Sequence, residues 1–314
     1  MKLDNEIKLD FSDVLIRPKR SELSSRSEVD LIRKITFKYS DYVWEGLPII
    51  CSNMDTVSTI DMYQKISDFK MLMCFHKSID CHHIIQNNCD PNYFMLSTGI
   101  SDDDLISLKL NINKLYQHGI DVKFICIDVA NGYMFKLIEF CKQVREMYPN
   151  KIIVAGNVVT RELVEELIIN GKVDIVKVGI GSGAVCTTRL QTGVGMPQFS
   201  SVMECADAAH GLGGHIISDG GICYPGDISK AFGAGGDFVM MGSMFAGHYE
   251  CAGNLVSENG KTYKLFYGMS SDTAMNKFKG GVAKYRSSEG KTVKVPYKGE
   301  VEDTIHNFLG GVRS

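Results

Sequence analysis

Eight short runs of apolar and β-branched residues recur along the chain, and they constrain its fold more than any other feature. Each run is continuously apolar rather than alternating, which is typical of strands that are buried on both faces of a parallel sheet. Amphipathic stretches with helical spacing lie between most of the runs. The runs cover residues 47–51, 71–75, 93–98, 122–129, 151–155, 173–178, 215–218 and 237–241.

Three of the intervening stretches predict helices. Residues 103–116 carry one apolar stripe, formed by Leu105, Ile106, Leu108, Ile112 and Leu115. Residues 133–148 carry a second stripe, formed by Met134, Leu137, Ile138, Cys141, Val144 and Tyr148. We expect Thr160 to cap a third helix, whose apolar residues are Leu163, Val164, Leu167 and Ile168. Repeated strand–helix units without a flexible linker favour a (β/α)8 TIM barrel over an open sheet.

Residues 247–300 interrupt this alternation. Asn259 and Gly260, within VSENGKTYKLFYG, predict a β-hairpin because this pair favours a two-residue turn between strands. A stretch rich in glycine, lysine and serine follows, from Lys277 to Lys298. We expect the hairpin and this stretch to form a flap over the barrel mouth, inserted into a single catalytic domain that spans residues 1–314.

The composition excludes several classes of protein. Hydrophobic residues make up 44% of the chain and charged residues 23%, as in ordinary globular proteins. The net charge of -3 argues against a nucleic-acid partner. No apolar run is long enough to cross a membrane, and the first residues lack the apolar core of a signal peptide, so we expect a soluble, cytoplasmic protein. The ten cysteines include no C-x-x-C pair and are predicted to be reduced thiols, mostly in the core.

Polar residues and glycines follow the predicted strands, at the end where barrel enzymes place their active sites. They are Asp128, Ala130 and Asn131, then Gly156 and Asn157, then Ser218, Asp219, Gly220 and Gly221, and finally Gly242 and Ser243. Glycine-rich turns after strands seven and eight often form phosphate sites, because glycine lets backbone N–H groups converge on an anion. The turns predict a phosphorylated substrate, with an ordinary tight turn at Asp219–Gly221 as the alternative.

The densest motif is GIGSGAVCTTR at residues 179–189, directly after the sixth predicted strand. Its start matches the dinucleotide pattern G-x-G-x-x-G/A, but that pattern follows the first strand of a unit and opens a helix, so we reject a Rossmann interpretation. A glycine loop that presents Cys186 beside two hydroxyls and Arg189 instead indicates a nucleophile, since positive charge favours the thiolate. A buried structural thiol is the alternative.

Two further groups carry weaker signals. His76 and Lys77, after the second strand, are interpreted as a surface pair. Tyr285, Arg286 and Glu289 lie in the predicted flap and can act as a base, an acid or an anion clamp only if the flap closes.

Several motifs together closely resemble the GMP reductases over essentially the whole chain. Besides the cysteine loop they are NMDTV at 53–57, DVANGY at 128–133, AGNVVT at 155–160, TGVGMPQ at 192–198, ECADAAHGL at 204–212, SDGG at 218–221, FYGMSS at 266–271 and EGKTVKVP at 289–296. IMP dehydrogenases share the barrel, the cysteine loop and the phosphate turns, but they usually carry inserted CBS domains and an Arg-Tyr pair in the flap. This chain has neither feature, and its order YRSSEG at 285–290 is the reductase form.

The resemblance implies reductive deamination, in which GMP and NADPH are converted to IMP, ammonia and NADP. Cys186 is implied to attack purine C2 and form a covalent thioimidate as ammonia leaves, before a hydride from NADPH allows IMP to be released. Thr188 and Glu289 are implied to manage the protons of the departing amine. The family also implies a homotetramer and a potassium ion near Gly181, Gly183, Cys186 and Arg189.

The same resemblance implies two sets of binding residues. GMP is implied to contact Asp219, Gly220, Gly221, Gly242, Ser243, Gly268, Met269, Ser270, Arg286, Ser288 and Gly290. NADPH is implied to contact Ser25, Arg26, Lys77, Asp128, Val129, Ala130, Ile180, Gly181, Met269 and Tyr285. The sequence departs from the family at Gly310–Ser314, where members continue with a segment that helps complete the dinucleotide site, and this departure bears on the affinity for NADPH.

Two competing functions are weighed against this one. An IMP dehydrogenase without regulatory domains would hydrolyse the covalent intermediate, and the order of residues in the flap argues against it. A nucleotide-binding regulator without turnover is the other alternative, and the intact Cys186, Thr188 and Glu289 argue against it.

Overall fold

The computed structural model of this protein describes residues 5–285 and 287–314. An antiparallel pair, β1 (Arg33–Thr36) and β2 (Val43–Gly46), precedes a closed barrel of eight parallel strands. The barrel strands are β3 (Ile49–Cys51), β4 (Leu72–Phe75), β5 (Phe94–Thr98), β6 (Phe124–Asp128), β7 (Ile152–Val158), β8 (Ile175–Val178), β9 (His215–Asp219) and β10 (Phe238–Met241). Each strand overlaps one of the predicted apolar runs, so the predicted (β/α)8 barrel is confirmed.

The barrel closes because β10 pairs with both of its neighbours. Val239 lies opposite Ser218 of β9 on one side and opposite Ile49 of β3 on the other. The helices are α1 (Ile60–Asp68), α2 (Cys81–Gln86), α3 (Asp102–Gln117), α4 (Phe135–Met147), α5 (Arg161–Ile169), α6 (Thr188–Thr192), α7 (Gln198–Gly211), α8 (Pro225–Gly233), α9 (Asp272–Lys279) and α10 (Val301–Arg313). Among the described residues, none of these helices is long and apolar enough to cross a membrane.

The predicted helices correspond to α3, α4 and α5, with three differences in detail. Met134, predicted in the apolar stripe of the second helix, precedes α4 and is exposed. Ile106, assigned to the apolar stripe of α3, is exposed, because the buried face of that helix is formed by Leu108, Ile112 and Leu115. Thr160 occupies the position before α5, but its side chain makes no capping hydrogen bond. Its hydroxyl instead accepts a hydrogen bond from the Tyr133 hydroxyl, at 3.2 Å.

The interior of the barrel is closed at the amino ends of the strands by residues of the β1–β2 pair. Trp44 of β2 is fully buried, and its ring centroid lies 5.3 Å from that of Phe238 at the start of β10. Its indole N–H donates to the carbonyl of Asn92 at 2.9 Å. Phe37, just after β1, packs edge-on against Phe124 at the start of β6. This plug belongs to the same apolar cluster as the inward-facing side chains of the strands.

The segment after β10 forms a three-stranded antiparallel sheet and one helix. Its strands are β11 (Val256–Glu258), β12 (Lys261–Tyr267) and β13 (Thr292–Pro296), and α9 lies between the last two. Glu258 pairs with Lys261 across the Asn259–Gly260 turn, and both turn residues have positive φ angles, of 51° and 73°. The predicted hairpin is therefore confirmed, with a turn of the type that the right-handed twist of strands favours.

The ten cysteines are free thiols, as the missing C-x-x-C pairs predict. Eight of them are buried, Cys186 is half-buried and Cys223 is exposed. The prediction that most of them fill the core is confirmed.

Replacing Trp44 tests the role of the plug. We expect Trp44→Ala to lower the free energy of unfolding by about 3–5 kcal/mol, because it removes a fully buried indole and opens a cavity under the barrel. Urea unfolding followed by circular dichroism measures this change. Val43→Ala is the matched control, because the Val43 side chain lies in the same strand but is 52% exposed. Equal effects of the two substitutions would contradict the proposed role.

Candidate active site

A cavity of about 640 Å3 lies at the carboxyl ends of the barrel strands. Its walls come from residues at or after the carboxyl ends of seven barrel strands, β3 to β9, and from the segment 268–289 after β12. Of the residues predicted from the sequence for the site, those that line this cavity are Lys77, Asp128, Val129, Ala130, Ile180, Gly181, Gly183, Cys186, Thr188, Asp219, Gly268, Met269, Ser270 and Glu289. The structure therefore brings together the three predicted catalytic residues and half of the predicted nucleotide-binding residues.

A short chain of hydrogen bonds joins the three predicted catalytic side chains. The Cys186 thiol donates to the Thr188 hydroxyl, with 3.2 Å between Sγ and Oγ1. The Thr188 hydroxyl donates in turn to the Glu289 carboxylate, with 2.8 Å between Oγ1 and Oε2. A thiol that is connected through a hydroxyl to a carboxylate has a path along which its proton can leave, which is what a cysteine nucleophile requires.

Backbone pairing between the cysteine loop and the segment before β13 holds this chain together. The Thr187 N–H donates to the Glu289 carbonyl at 2.9 Å, and the Lys291 N–H donates to the Val185 carbonyl at 2.9 Å. Gly290 permits the close approach, because a Cβ at this position would lie 2.9 Å from the backbone nitrogen of Ser271. The side chain of Glu289 thus reaches Thr188 although the two residues are separated by 101 positions.

Arg189 anchors the cysteine loop and is not available to the thiol in the way that the sequence predicts. Its guanidinium donates to the Asp10 carboxylate at 2.9 Å and to the Met196 carbonyl at 2.6 Å. Burial alone would raise the pKa of Asp10, but hydrogen bonds from Arg189 and from the Gln198 backbone N–H hold it below its ordinary value. The interpretation of Arg189 as the cation that favours a Cys186 thiolate is therefore corrected: its charge is taken up by Asp10.

The cysteine loop contains the four residues that the resemblance implies for a monovalent cation. Because the Arg189 guanidinium is bound by Asp10, the four residues implied for a potassium site present mainly backbone carbonyls. The Gly183 carbonyl accepts one hydrogen bond, from the Cys186 N–H at 3.0 Å, and keeps a second lone pair. Rings of carbonyl oxygens suit potassium better than a transition metal.

A buried ammonium group lies beneath the cavity. The Lys177 side chain of β8 is 2% exposed, donates to Asp128 Oδ1 at 2.5 Å and lies 3.3 Å from Asp219 Oδ2. Burial alone would lower the pKa of Lys177, but the charges of Asp128 and Asp219 raise it well above its ordinary value. Burial would likewise raise the pKa of Asp128, whereas Lys177 and a hydrogen bond from Asn53 hold it below the ordinary value. Lys177 and Asp128 are therefore both ionised at neutral pH.

Sequence reasoning missed Lys177, which lies within the apolar run VDIVKV and was assigned only to a strand. The signal that could have identified it is a lysine inside a continuously apolar barrel strand, since such a charge needs a buried partner. Two amides complete the network: Asn53 donates to Asp128 at 3.0 Å, and Asn157 donates to Asp219 at 2.8 Å.

The predicted phosphate turns adjoin one another beside the cavity. Gly220 and Gly221 adopt positive φ angles of 90° and 80°, which glycine accommodates without strain. The Ser243 hydroxyl donates to the Ile222 carbonyl at 3.4 Å, which connects the turns after β9 and β10. Within residues 5–285 and 287–314, the backbone N–H groups of Gly221, Gly242 and Ser243 donate to no protein acceptor. These free donors suit an anion.

The remaining predicted residues are distributed over three places. Ser25 and Arg26 lie at a 3-10 turn, and Arg26 lines a separate cavity with the end of α10, including Ser314. Tyr285 is 90% exposed and does not line the mouth. The Ser288 hydroxyl donates to the Ser270 carbonyl at 3.4 Å, beside Gly290. Arg286, predicted from the family to contact GMP, lies outside the described residues.

His76 and Lys77 both line the mouth instead of forming a surface pair. The His76 ring is half-buried and lies 5.0 Å from the ring of Phe278 in α9, and burial lowers the pKa of this histidine. Lys77 donates to Asp104 at 2.9 Å and keeps about half of its side chain exposed, at 50%. The prediction of an exposed position holds for Lys77 and is wrong for His76, because α9 was not predicted and Phe278 of that helix covers the ring.

Asp55, in the loop after β3, binds the segment that covers the mouth. It accepts hydrogen bonds from the Tyr267 hydroxyl of β12 and from the Lys277 ammonium of α9, both at 2.7 Å. Burial and Asp55 together raise the pKa of Tyr267, so this phenol stays a donor. Asp55 belongs to the motif NMDTV, and nothing in that motif predicts this contact.

A closed barrel whose mouth joins a loop cysteine to a glutamate of an inserted segment has the arrangement of a barrel enzyme, and comparison with known proteins identifies the family. The model of the IMP dehydrogenase / GMP reductase domain matches residues 94–314. The chain belongs to this family.

Individual relatives are similar over the whole chain. GMP reductase 1 of Rattus norvegicus is 56% identical over 317 residues, which cover 100% of this chain and 90% of the relative. GMP reductase 2 of Bos taurus is 55% identical over 316 residues, which cover 99% of this chain and 89% of the relative. GMP reductase of Caenorhabditis elegans is 54% identical over 318 residues, covering 100% and 87%. The family resemblance predicted from the motifs is confirmed.

Replacing Lys177 tests the buried network. We expect Lys177→Met to lower the free energy of unfolding by about 3–5 kcal/mol, because it removes a fully buried cation and leaves two partly buried carboxylates without their partner. Denaturant unfolding measures this change. We expect the double variant Lys177→Met, Asp128→Asn to recover part of the loss, since it removes one of the unpaired charges.

The control for this experiment is Lys294→Met, which breaks an exposed ion pair with Glu258. Such pairs contribute only about 0–1 kcal/mol. A Lys177 variant as stable as this control would show that the charges in the barrel mouth do not depend on one another.

Proposed function

We propose that this chain is a GMP reductase, which converts GMP to IMP and ammonia with NADPH as the reductant, through a covalent adduct on Cys186. The observation that carries the proposal is the chain of hydrogen bonds from Cys186 through Thr188 to Glu289, in a protein about 55% identical over its length to proteins named GMP reductase. The alternative of a regulator without turnover gives no reason for this chain of groups.

The first half of the proposed reaction exchanges the amino group for sulfur. The Cys186 proton passes to the Thr188–Glu289 pair, and the thiolate adds to purine C2. The bond between C2 and the amino nitrogen then breaks, and the amine leaves as ammonia after it has received a proton from the same pair. Protonation is necessary because an amide anion is a poor leaving group. The Thr188 hydroxyl lies between the two groups, 3.2 Å from the Cys186 sulfur and 2.8 Å from the Glu289 carboxylate.

The second half replaces sulfur by hydrogen. NADPH, when bound, supplies the hydride that C2 accepts. The bond between C2 and sulfur then breaks, Cys186 leaves as the thiolate, and IMP is the product. The chain's own contribution here is to keep water away from the adduct, because hydrolysis at C2 would give a different product. The segment bound by Asp55 covers the mouth and fits this requirement.

The polar groups around Cys186 support GMP as the substrate. We propose that its phosphate binds the free N–H groups of Gly221, Gly242 and Ser243, with Gly220 in the same turn. Asp219 would bind the ribose hydroxyls, and the segment Gly268–Ser270, with Arg286, Ser288 and Gly290, would contact the base. A site at the carboxyl ends of strands seven and eight is the usual phosphate site of this fold.

The residues proposed for NADPH fall in two places. Lys77, Asp128, Val129, Ala130, Ile180, Gly181 and Met269 line the mouth, where the partly exposed Lys77 can attract an anionic cofactor. Ser25, Arg26 and Tyr285 complete the proposed set. We further propose potassium at the carbonyls of Gly181, Gly183, Cys186 and Arg189, where it would fix the cysteine loop. The proposal includes a single catalytic domain without CBS domains, a homotetramer and a cytoplasmic location.

Loss of the thiol is the direct test. We expect Cys186→Ala to abolish the oxidation of NADPH and the release of ammonia with GMP, while GMP still binds in calorimetry, because the nucleotide contacts are made by other residues. Nicotinamide absorbance and an ammonia assay in potassium buffer measure the activity. Cys223→Ser, at an exposed cysteine, is the control.

Two results of this experiment would overturn the proposal. Turnover of GMP retained in Cys186→Ala would exclude the covalent mechanism. Formation of NADH from IMP and NAD by the unmodified protein, without oxidation of NADPH by GMP, would make the chain an IMP dehydrogenase.

The proton path is tested by comparing the kcat of the two single variants with that of the double variant. We expect Thr188→Val and Glu289→Gln each to lower kcat by about 10²–10⁴-fold, and the double variant to be no slower than the slower single variant, because both groups serve one path. Thr192→Val is the control, since its hydroxyl donates only to the Thr188 backbone carbonyl, at 2.8 Å. Multiplicative losses in the double variant would mean that the two residues act separately.

A further inference from the structure

A second cluster of chemistry-bearing side chains lies at the opposite end of the barrel from the mouth. It consists of His210 near the end of α7, His215 at the start of β9 and Asp237 directly before β10. One nitrogen of each imidazole and a carboxylate oxygen lie within 4.8 Å of one another. The proposed reaction uses none of these residues.

The hydrogen bonds of the neutral His215 ring leave two hydrogen-bond acceptors facing each other. Its Nε2 lies 2.8 Å from the backbone carbonyl of Thr36, which can only accept, so this nitrogen carries a hydrogen. In the neutral ring, Nδ1 then carries a lone pair, and it lies 3.0 Å from Asp237 Oδ1. Two acceptors face each other at this distance only if a cation lies between them. That cation is a second imidazole proton or a metal ion.

The surroundings of His215 match those of a metal-binding histidine. A ligating imidazole commonly donates its other N–H to a backbone carbonyl, which fixes the tautomer and the orientation of the ring. The Thr36 carbonyl provides this contact, and Phe37 packs edge-on against the ring with 5.8 Å between centroids. The His215 ring is therefore held with Nδ1 directed at Asp237.

The other two groups complete a set of three donors. His210 Nε2 lies 2.9 Å from Asp237 Oδ2, and that oxygen also accepts a hydrogen bond from the Ile216 N–H at 2.8 Å. We propose that His210, His215 and Asp237 bind one divalent cation of the zinc type. Two imidazoles and one carboxylate are ligands that zinc, cobalt and nickel accept.

The donor atoms must shift to accept the ion, because the two imidazoles now face different oxygens of Asp237. Zinc bonds of about 2.0–2.1 Å in a tetrahedral site separate neighbouring ligand atoms by about 3.4 Å. The two contacts with Asp237 must therefore widen by a few tenths of an ångström, and donor atoms that lie up to 4.8 Å apart must approach one another. His210 is 46% exposed and Asp237 is 18% exposed, which leaves a path for entry and room for water as the fourth ligand. Binding displaces the protons that now lie between the ligands.

The position of the site indicates a structural role. The ligands belong to α7, β9 and the residue before β10, and the Thr36 carbonyl belongs to β1 of the plug. A bound ion would join the last two barrel strands to the plug at the amino ends of the strands. Features at this end of such barrels serve stability, because the reactions take place at the other end.

Cobalt is the probe for the test, because its absorption spectrum distinguishes nitrogen and oxygen ligands from thiolates. The protein carries Cys186→Ala and Cys223→Ser, which remove its two accessible thiols. We expect one equivalent of Co2+ to bind with a spectrum of nitrogen and oxygen ligation, and Zn2+ to displace it. We expect His210→Gln and Asp237→Asn each to weaken Co2+ binding by more than about 100-fold. Loss of a residue that only hydrogen-bonds to a metal ligand already lowers metal affinity by about 10–100-fold, and these two residues are the ligands themselves.

Controls separate this site from adventitious binding and from the proposed function. His82→Gln replaces an exposed histidine of α2 outside the cluster and leaves the affinity for Co2+ unchanged. Circular dichroism of each variant confirms that it is folded. Reductase activity with GMP, measured for His210→Gln with both cysteines intact, is expected to stay at the level of the unmodified protein, so failure of the metal site is distinguishable from failure of the function.

Three outcomes would overturn the metal site. They are the absence of saturable Co2+ binding, binding that survives both His210→Gln and Asp237→Asn, and a charge-transfer spectrum of thiolate ligation. In the first case protons alone hold the cluster together, and His215 is a buried imidazolium paired with Asp237.

Discussion

The ion pair of Lys177 with Asp128 and Asp219 is the interaction on which the rest of the mouth depends. Removal of these charges from water is costly, and each of them is tolerated only because the others are present. The pair joins the carboxyl ends of β6, β8 and β9, so it sets where those strands end relative to one another. The same Asp219 also positions the cysteine loop, because its backbone carbonyl accepts a hydrogen bond from the Ser182 hydroxyl at 2.9 Å. A buried lysine with no role in the proposed reaction thus connects the strand framework to the loop that carries the nucleophile.

The proton path from Cys186 to Glu289 depends on the docking of the inserted segment, because its two halves come from distant parts of the chain. Cys186 and Thr188 are fixed by the barrel, whereas Glu289 belongs to the inserted segment and arrives only when that segment is docked. Backbone pairing of residues 185–187 with 289–291 makes the docking specific in register, so a shift by one residue would turn the carboxylate away from Thr188. The tether from Tyr267 and Lys277 to Asp55 fixes the other side of the segment. Because the fold already aligns these groups, the free energy of aligning them does not add to the barrier of the chemical step.

The sequence predicts the barrel well and the site only in part, for physical reasons. Burial on both faces leaves a continuous apolar run at every barrel strand, and Asn259–Gly260 has the backbone preferences of its turn, so these features are local. The β1–β2 plug was missed because RKIT and VWEG are too short and too mixed to show a period, and its effect comes from the tertiary burial of Trp44. Lys177 and Arg189 show the same limit: the sequence contains the charge, but the partner that decides what the charge does is brought in by the fold.

The inserted segment divides into parts that serve different steps of the proposed reaction. Its inner part, around Glu289 and Gly290, is paired to the cysteine loop through the backbone, so the fold itself holds the acid–base groups in register. Tyr285, only four residues earlier, is 90% exposed and contributes nothing to the mouth as it stands. We propose Tyr285 as an NADPH contact, and forming that contact costs free energy because an exposed side chain loses rotamer freedom on binding. This cost lowers the affinity for the cofactor and not the rate of proton transfer. Substitutions at Tyr285 should therefore affect KM and those at Glu289 kcat, because the exposed residue bears on binding and the paired residue on proton transfer.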